Sequence, residues 1–372
     1  MNGYFDNGST SYPKPLSVSA AMSDYLSLCG GTYGRAAYGR VHQATQNVEA
    51  CRDAIASLMH CAQGEKIAFT LNATSAINTI LKGLKPYVTA WVLPLEHNAV
   101  MRPLHLLEKA GKTKIAYLPA LADGSIDINK LNSLPIHPTD IVVVNQVSNV
   151  NGVIQPLEEL AKWTKQKGIR IVVDASQSLG HTCLDVDGWG IDYVAFTGHK
   201  GLLGPTGTGG FYASTLLDTL LEGGTGSNSA HYEMPSELPD RYEPGTPNVV
   251  GLTGLVAALN NRPTPQHTHS DLIDCMDELS AMPDIRLLKA LEMNNQSELF
   301  SFTHAKLAPS IIGNRLFEQA GIEVRTGLHC APLAHQTLGS FPTGSVRIAP
   351  SVYHTVADLS YLLKSIYDAI QS

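Results

Sequence analysis

Short apolar runs alternate with amphipathic segments between about residue 45 and residue 215. The runs with the length of strands are Ile67–Leu71, Ala90–Pro94, Lys114–Leu118, Ile141–Val147, Arg170–Asp174, Asp192–Phe196 and Gly210–Ala213. The run at 141–147 holds consecutive valines without alternation, as a strand buried on both faces requires. Helical periodicity lies between the runs, for example over Gln46–His60 and over Leu157–Lys167, which Gly168 ends. The pattern predicts an α/β fold whose seven-stranded sheet is mostly parallel and carries helices on both faces.

The pattern changes after about residue 262. A polar, proline-rich stretch at 260–265 has the composition of a hinge. Short strands are predicted near Ile322–Thr326 and Ser345–Ala349, and a closing helix near Thr355. We therefore expect a large domain over residues 16–262 and a smaller α+β domain formed by residues 263–372 with residues 1–15. A polar loop at 220–248 has the length and composition of a functional or interface arm.

Length and charge exclude several classes of protein. A chain of 372 residues exceeds one compact core, which favours two domains. A net charge of -7 argues against nucleic acid or an anionic membrane as the partner. No apolar run approaches the ~18 residues of a membrane span, and the first residues show no secretory signal, so we expect a cytoplasmic protein. None of the six cysteines forms a C-x-x-C pair, so the sequence predicts free thiols and no metal site.

Polar residues with cofactor chemistry follow the predicted strands. Asp174 ends one strand, Gln177 comes shortly after it, and Lys200 follows the next strand between glycines. Asn72-Ala73-Thr74-Ser75 opens a helix after another strand, as a phosphate cup does. His97 follows a fourth strand and Asn149 a fifth. Because parallel strand ends meet at one sheet edge, we expect these side chains to lie together.

This set meets the requirements of pyridoxal 5'-phosphate. The cofactor needs a lysine for a Schiff base, a carboxylate at its pyridine nitrogen, donors for its phosphate and a ring stacked on one face. The sequence offers Lys200 for the Schiff base and Asp174 for the pyridine nitrogen. It offers the cup at Ala73 and Thr74 for the phosphate and His97 for the stacked ring. Taken singly, a strand-end aspartate is more often a helix cap and a lone histidine a satisfied polar residue. The ordered set makes the cofactor prediction.

The chain resembles the class V aminotransferase superfamily of fold-type I pyridoxal phosphate enzymes, and within it the cysteine desulfurases and selenocysteine lyases. The segments that match the family's motifs are Tyr4–Thr10, Glu96–Ala99, Ser148–Val150, Asp174–Gln177, Thr197–Lys200 and Glu243–Asn248. The cofactor-binding residues implied are Ala73, Thr74, His97, Asn149, Asp174, Gln177, Thr197, His199, Lys200 and Thr246. The resemblance further implies a homodimer in which Thr246 reaches the phosphate bound by the other subunit.

The segment Arg325–Pro332 resembles the R-x-G-x-x-C-A segment of the short-loop, SufS-like (type II) desulfurases. The resemblance implies that Cys330 accepts the substrate's sulfur, with Lys200 and His97 as the other catalytic residues. It also implies that Arg347 binds the substrate carboxylate beside Asn7 and Asn149. His329 or Arg325 is expected to favour the thiolate of Cys330. Leu328 departs from the pattern, because many members carry a second histidine there.

The reaction implied is the conversion of L-cysteine to L-alanine with a persulfide on Cys330, which a SufE-like protein then receives for iron–sulfur assembly or a related pathway. L-Selenocysteine is an alternative substrate. Another class V reaction would keep Lys200, Asp174 and Arg347 without needing a thiol. A non-catalytic scaffold with the same fold is a further alternative, against which the intact set of polar residues argues.

Overall fold

The computed structural model describes residues 3–34 and 36–371. The strands are β1 (Ile67–Thr70), β2 (Thr89–Val92), β3 (Lys114–Tyr117), β4 (Ile141–Asn145), β5 (Arg170–Asp174), β6 (Tyr193–Thr197), β7 (Gly209–Ala213), β8 (Ile285–Leu288), β9 (Phe300–His304), β10 (Arg325–Gly327) and β11 (Ser345–Ile348). The α-helices are α1 (Leu16–Asp24), α2 (Gly39–Leu58), α3 (Ala73–Gly83), α4 (Asn98–Lys109), α5 (Leu157–Lys167), α6 (Val186–Trp189), α7 (Val249–Asn260), α8 (His269–Ser280), α9 (Pro309–Ala320), α10 (Pro332–Thr337) and α11 (Val356–Gln371).

The larger sheet has seven strands within the described residues, in the order β1-β7-β6-β5-β4-β2-β3. Only β7 runs against its neighbours there. Both faces are buried: Val142 and Val144 join a core with α2, α5 and α7, whereas Ile141 and Val143 face α3 and α4. The continuous apolar run of β4 is explained by this double burial. The predicted α/β sheet is confirmed.

The smaller sheet is antiparallel in the order β10-β11-β9-β8. It packs with α8, α9 and α11 around an apolar core that includes Phe300 and Phe302. The N-terminal segment reaches this part of the chain through bridges of Tyr4 to Glu323 and of Asp6 to Ala349. The division into domains near residue 262 stays a prediction. No helix of the described chain has the length and apolar character to cross a membrane.

Three elements differ from the pattern-based expectation: one helix and two strands. The helix expected at Gln46 begins at Gly39, where Val41 and Ala44 continue the buried face among polar neighbours. Strands β8 and β9 were not predicted. β9 alternates Phe300 and Phe302 with polar residues, and β8 is a short edge strand with an exposed Arg286. The closing helix begins as expected, with Thr355 bonded to the carboxylate of Asp358 at 2.8 Å.

Candidate active site

A cavity of about 100 Å³ opens at the carboxyl ends of the parallel strands. Its lining contains most of the sequence-predicted cofactor residues: Ala73, Thr74, His97, Asn149, Asp174, Gln177, Thr197, His199 and Lys200. Asn72, Ala99, Asn145, Val147 and Ser176 complete it. A second cavity, of about 230 Å³, shares Gln177 and Lys200 with the first and is lined by Asn7. The structure therefore gathers residues that are up to 128 positions apart, from Asn72 to Lys200.

Lys200 lies in the connection between β6 and β7, which run antiparallel. Bonds of 2.8 Å from the amides of Gly198 and Gly204 to the carbonyls of Thr208 and Gly198 close this connection. Burial lowers the pKa of Lys200 to about 8, although the carboxylate of Asp174 acts in the opposite direction. A lowered pKa leaves part of the amine unprotonated near neutral pH, as attack on an aldehyde requires.

Asp174 is held at the end of β5, directly beside Asn145 of β4. Its Oδ1 accepts hydrogen bonds from the amide of Ser176, at 2.9 Å, and from the Ser176 hydroxyl. Both bonds fall on Oδ1, so Oδ2 would be the oxygen available to a protonated pyridine nitrogen. The carboxylate lines the cavity and is nearly buried, as a charge partner for such a nitrogen should be.

A second carboxyl group, which the sequence did not single out, lies next to Asp174. Glu96 is fully buried, and its Oε1 accepts from the amide of Asn145 at 2.6 Å and from the Asn145 side chain at 3.0 Å. Burial, with the nearby Asp174 carboxylate, raises the pKa of Glu96 well above its ordinary value. Burial and the neighbouring carboxylate therefore favour the protonated form of Glu96.

His97 caps the N-terminus of α4. Its Nδ1 accepts a hydrogen bond of 3.0 Å from the amide of Ala99, so the ring proton resides on Nε2. Burial lowers the pKa of His97, and Lys200 adds to that effect while Asp174 opposes it. A neutral ring at the cavity wall suits stacking on a planar cofactor.

The predicted phosphate cup is the N-terminus of α3. Asn72 caps the helix by accepting from the amide of Ser75 at 2.9 Å, and Ala73 and Thr74 begin the first turn at the cavity. Backbone amides at a helix N-terminus favour an anion. Amine, carboxylate, imidazole and phosphate cup thus surround one cavity, and the residues present fit pyridoxal phosphate.

Thr246 lines a separate cavity with Thr74 and Ser75, away from Lys200.

Arg347 lies on β11, opposite Arg325 of β10. Its Nη1 donates to the carbonyl of Asn149 at 3.0 Å, and its Nη2 donates to Asp6 Oδ1 at 2.9 Å and Ser9 Oγ at 2.7 Å. Asn149 also donates to the carbonyl of His329 at 2.8 Å, which ties the cofactor cavity to the cysteine loop.

Asn7 was predicted as a substrate ligand, but its side chain forms hydrogen bonds with backbone groups. Its Nδ2 donates to the carbonyls of Tyr4 and Ala349 at 3.1 and 2.9 Å, and its Oδ1 accepts from the amide of Tyr12 at 2.9 Å. Gln177 donates to the carbonyl of Gly8 at 2.8 Å, while lining both cavities. The substrate role of Asn7 and the cofactor role of Gln177 remain predictions.

Cys330 is exposed in the loop between β10 and α10. His329 and Cys330 both have positive φ, 49° and 56°. The backbone is therefore left-handed at these two residues, and their side chains do not follow the directions they would take in an extended strand. The carbonyl of Cys330 accepts from the amide of Asn98 at 2.8 Å, which places the loop beside His97. Negative charge on Cys330 would raise the pKa of Lys200 and so oppose the effect of burial.

His329 turns inward, away from the exposed thiol. It is buried, its Nε2 lies 3.0 Å from Ser345 Oγ, and its ring is 5.3 Å from that of His335. Burial lowers the pKa of His329 to about 2, and Arg347 adds to the effect. His329 is therefore neutral and supplies no positive charge to Cys330. Arg325 donates to Asp6 through Nε at 3.0 Å and Nη2 at 2.9 Å. Negative charge on Cys330 also raises the pKa of Arg325, so the help expected from Arg325 to the thiolate stays a prediction.

Comparison with known proteins places this site in a family. The model of the aminotransferase class-V family matches residues 3–362. A probable cysteine desulfurase of Methanothermobacter thermautotrophicus is 32% identical over 96% of this chain and 92% of its own length. Another from Pyrococcus abyssi is 31% identical over 99% of this chain and 94% of its own length.

Solved structures give the same result. A cysteine desulfurase from Thermococcus onnurineus, in its apo form, has a TM-score of 0.88 at 28% identity, covering 99% of this chain and 94% of its own. The cysteine desulfurase CsdA from Escherichia coli, in an S-sulfonic acid form, has a TM-score of 0.87 at 28% identity with the same coverage. This chain therefore belongs to the aminotransferase class-V family, and it is an enzyme whose cofactor is pyridoxal 5'-phosphate.

Proposed function

We propose that the enzyme is a cysteine desulfurase that converts L-cysteine to L-alanine and keeps the sulfur as a persulfide on Cys330. The observation that carries the proposal is the position of the Cys330 loop. Its backbone is held by Asn98 and Asn149, which flank the cavity that contains Lys200. A transaminase or racemase needs no thiol at this place. Relatives named cysteine desulfurases support the same activity.

In the proposed mechanism, each residue has a task that its surroundings allow. The bound cofactor supplies an electron sink for the substrate's α-carbon, and Asp174 stabilises positive charge at its ring nitrogen. Arg347 holds the α-carboxylate. Lys200, with its pKa lowered to about 8, accepts the α-proton and returns it. His97, which carries a proton on Nε2, would donate that proton to the substrate and take it back afterwards.

The sulfur transfer balances without an external oxidant. The thiolate of Cys330 attacks the substrate's sulfur, a new S–S bond forms, and the substrate's C–S bond breaks. The carbon keeps the electron pair of that bond and takes a proton, which completes the methyl group of L-alanine. Cys330 is oxidised to the persulfide level while the substrate carbon is reduced. An exposed Cys330 can then pass the sulfur to a SufE-like protein or to another acceptor.

We also propose a homodimer in the cytoplasm in which Thr246 completes the phosphate site of the other subunit. Thr246 is exposed and lies outside the Lys200 cavity of its own chain. The neighbouring arm exposes Leu220 and Leu221, which suits an interface. Mixing two inactive variants, Lys200→Ala and Thr246→Ala, should restore activity in mixed dimers, because one site then has both residues. Failure to restore any activity would contradict Thr246 acting across the interface.

The proposed activity is tested by measuring alanine and sulfide from L-cysteine, with Cys330→Ala beside the wild type. We expect C330A to lose about 100-fold or more of its activity while it retains the cofactor's visible absorbance. Cys183→Ala is the matched control, because Cys183 is also an exposed free thiol. Full activity of C330A on L-cysteine would rule out the persulfide. A wild type that acts on L-selenocysteine but not on L-cysteine would indicate a selenocysteine lyase instead.

A further inference from the structure

The carboxylate of Asp6 lies between two arginines. Asp6 Oδ1 is 2.9 Å from Arg347 Nη2, and Asp6 Oδ2 is 2.9 Å from Arg325 Nη2. Nε of Arg325 also donates to Oδ2 at 3.0 Å. The backbone of Asp6 is fixed by a bridge to Ala349, so the side chain is the part that can move.

The guanidinium of Arg347 has no pair of neighbouring N–H donors available for a second carboxylate. A guanidinium binds a carboxylate through two donors on one edge, and both such edges include Nη2. The two hydrogens of Nη2 are used by Asp6 and by Ser9. Nη1 is partly used by Asn149, and Nε is buried without a partner among the described residues. Substrate binding through two donors therefore requires Asp6 or Ser9 to leave Nη2, and Asp6 is the partner whose charge repels an α-carboxylate.

The charge of the cluster favours such an exchange. Two guanidinium groups and one carboxylate carry a net charge of about +1. Arg347 is buried, with 3% of its side chain exposed, whereas the Arg325 side chain is 50% exposed. A buried arginine without a carboxylate partner is unfavourable. An α-carboxylate at Arg347 would neutralise the cluster, and Asp6 would keep its bonds to Arg325.

We infer that Asp6 is a displaceable counter-ion: its carboxylate occupies Arg347 in the absence of substrate and withdraws onto Arg325 when an α-carboxylate binds. Asp6 is thus a positioning residue, and the inference rests on the proposed role of Arg347 as the carboxylate ligand. Gly8 keeps the turn close enough for this contact. A Cβ on Gly8 would lie 3.0 Å from Cζ of Arg347 and 2.8 Å from Leu299 Cδ1.

The inference predicts opposite effects for two substitutions. Asp6→Asn keeps the shape but removes the competing charge, so the enzyme should bind a carboxylate about fivefold more tightly. Arg325→Gln removes the place onto which Asp6 withdraws, so binding should weaken about fivefold. In the D6N/R325Q double variant the effect of R325Q should disappear. If Asp6 were a fixed strut for Arg347, both single substitutions would weaken binding.

The experiment is equilibrium binding of L-alanine and of L-alaninamide to the holoenzymes, followed by the cofactor's visible absorbance. L-Alaninamide lacks the carboxylate, so its affinity should be equal in all four proteins. Weaker binding of L-alanine by D6N would overturn the inference, as would a wild type that binds L-alanine no better than its amide. If D6N does not fold, tighter or unchanged binding of L-alanine by R325Q overturns it. Sulfur release plays no part in this readout, so failure of the desulfurase proposal is detected separately.

Discussion

The ammonium group of Lys14 donates to the carbonyl oxygen of His199 at 2.9 Å, one residue before Lys200. The same oxygen accepts from Thr10 Oγ1 at 3.1 Å and from the amide of Ser11 at 3.0 Å. Burial lowers the pKa of Lys14 to about 8. The N-terminal segment thus fixes the peptide from which Lys200 extends, and a charged donor makes the strongest of these bonds.

Replacing Lys14 with methionine should reduce kcat about tenfold, since a hydrogen bond from a charged donor contributes about 1.5–3 kcal/mol. Lys14→Arg keeps a charged donor and should recover part of the loss. Steady-state kinetics measure kcat, and dialysis followed by absorbance measures cofactor retention. Lys162→Met, on an exposed helix face, is the control. A K14M enzyme with wild-type kcat and cofactor retention would show that Lys14 has no positioning role.

The buried ion pair of Arg52 and Glu243 anchors the segment that carries Thr246. Arg52 Nη1 and Nη2 lie 2.9 and 3.2 Å from the two oxygens of Glu243, and Arg52 packs over the ring of Phe69 at 4.6 Å. Arg52→Met should lower the free energy of unfolding by about 3–5 kcal/mol, because it leaves a buried carboxylate unpaired.

Denaturant titration measures this change. Lys162→Met breaks an exposed pair with Glu158 and should lower the unfolding free energy by about 0.5 kcal/mol or less. The double variant R52M/E243Q should be more stable than R52M, since the unpaired charge is gone. Equal effects of R52M and K162M would mean that the Glu243 contact contributes little.

Acid should destabilise the protein through His329 and His335. Burial lowers the pKa of His335 to about 4 and that of His329 to about 2, below the ordinary value of about 6.5. The unfolded chain therefore binds protons that the folded chain does not. Stability is complete above about pH 6.5 and falls as the pH drops toward 4, with a slope of up to about 1.4 kcal/mol per pH unit for each histidine.

Urea denaturation at several pH values between 7 and 4 tests this expectation. His335→Gln should have a shallower slope than the wild type, whatever its stability at pH 7. His105→Gln is the control, because His105 is exposed on α4 and should leave the slope unchanged. A steeper or unchanged slope in H335Q would contradict a neutral, buried His335.

Asp174→Asn should reduce kcat about 100-fold or more, because the amide no longer stabilises a positive ring nitrogen. The bonds from Ser176 to Oδ1 can persist, so the fold should be retained. Kinetics with L-cysteine and the cofactor's absorbance are the measurements. Asp192 immediately precedes β6, at the end of that strand opposite to Thr197 and the Lys200 cavity, so Asp192→Asn should preserve kcat. A fully active D174N would remove Asp174 from the mechanism.

The cofactor cavity was largely predictable from the sequence. Parallel strands end at one edge, so polar residues that follow apolar runs must meet there. This rule, together with the chemical requirements of the cofactor and the family resemblance, predicted Asp174, Lys200, His97, Asn149 and the cup at Thr74, which line one cavity.

Contacts between distant segments were not predictable in the same way. Asp6 and Arg347 are 341 positions apart, and no periodic pattern links them. The protonation of Glu96 depends on complete burial beside another carboxylate, which a motif does not reveal. His329 adjoins Cys330 in sequence, but two successive residues with positive φ turn its ring into the interior. Adjacency along the chain was a poor guide to charge around the thiol.

The antiparallel placement of β7 has a consequence for how the site assembles. Because Thr197 pairs with Gly209, Lys200 belongs to a local hairpin, whereas Arg347 depends on residues from the opposite end of the chain. Local contacts form faster than distant ones. We expect pulse-labelling hydrogen exchange to protect residues 193–213 before Arg347 and Asp6 come together. The part of the site that receives the cofactor would then mature during folding before the part that receives the substrate.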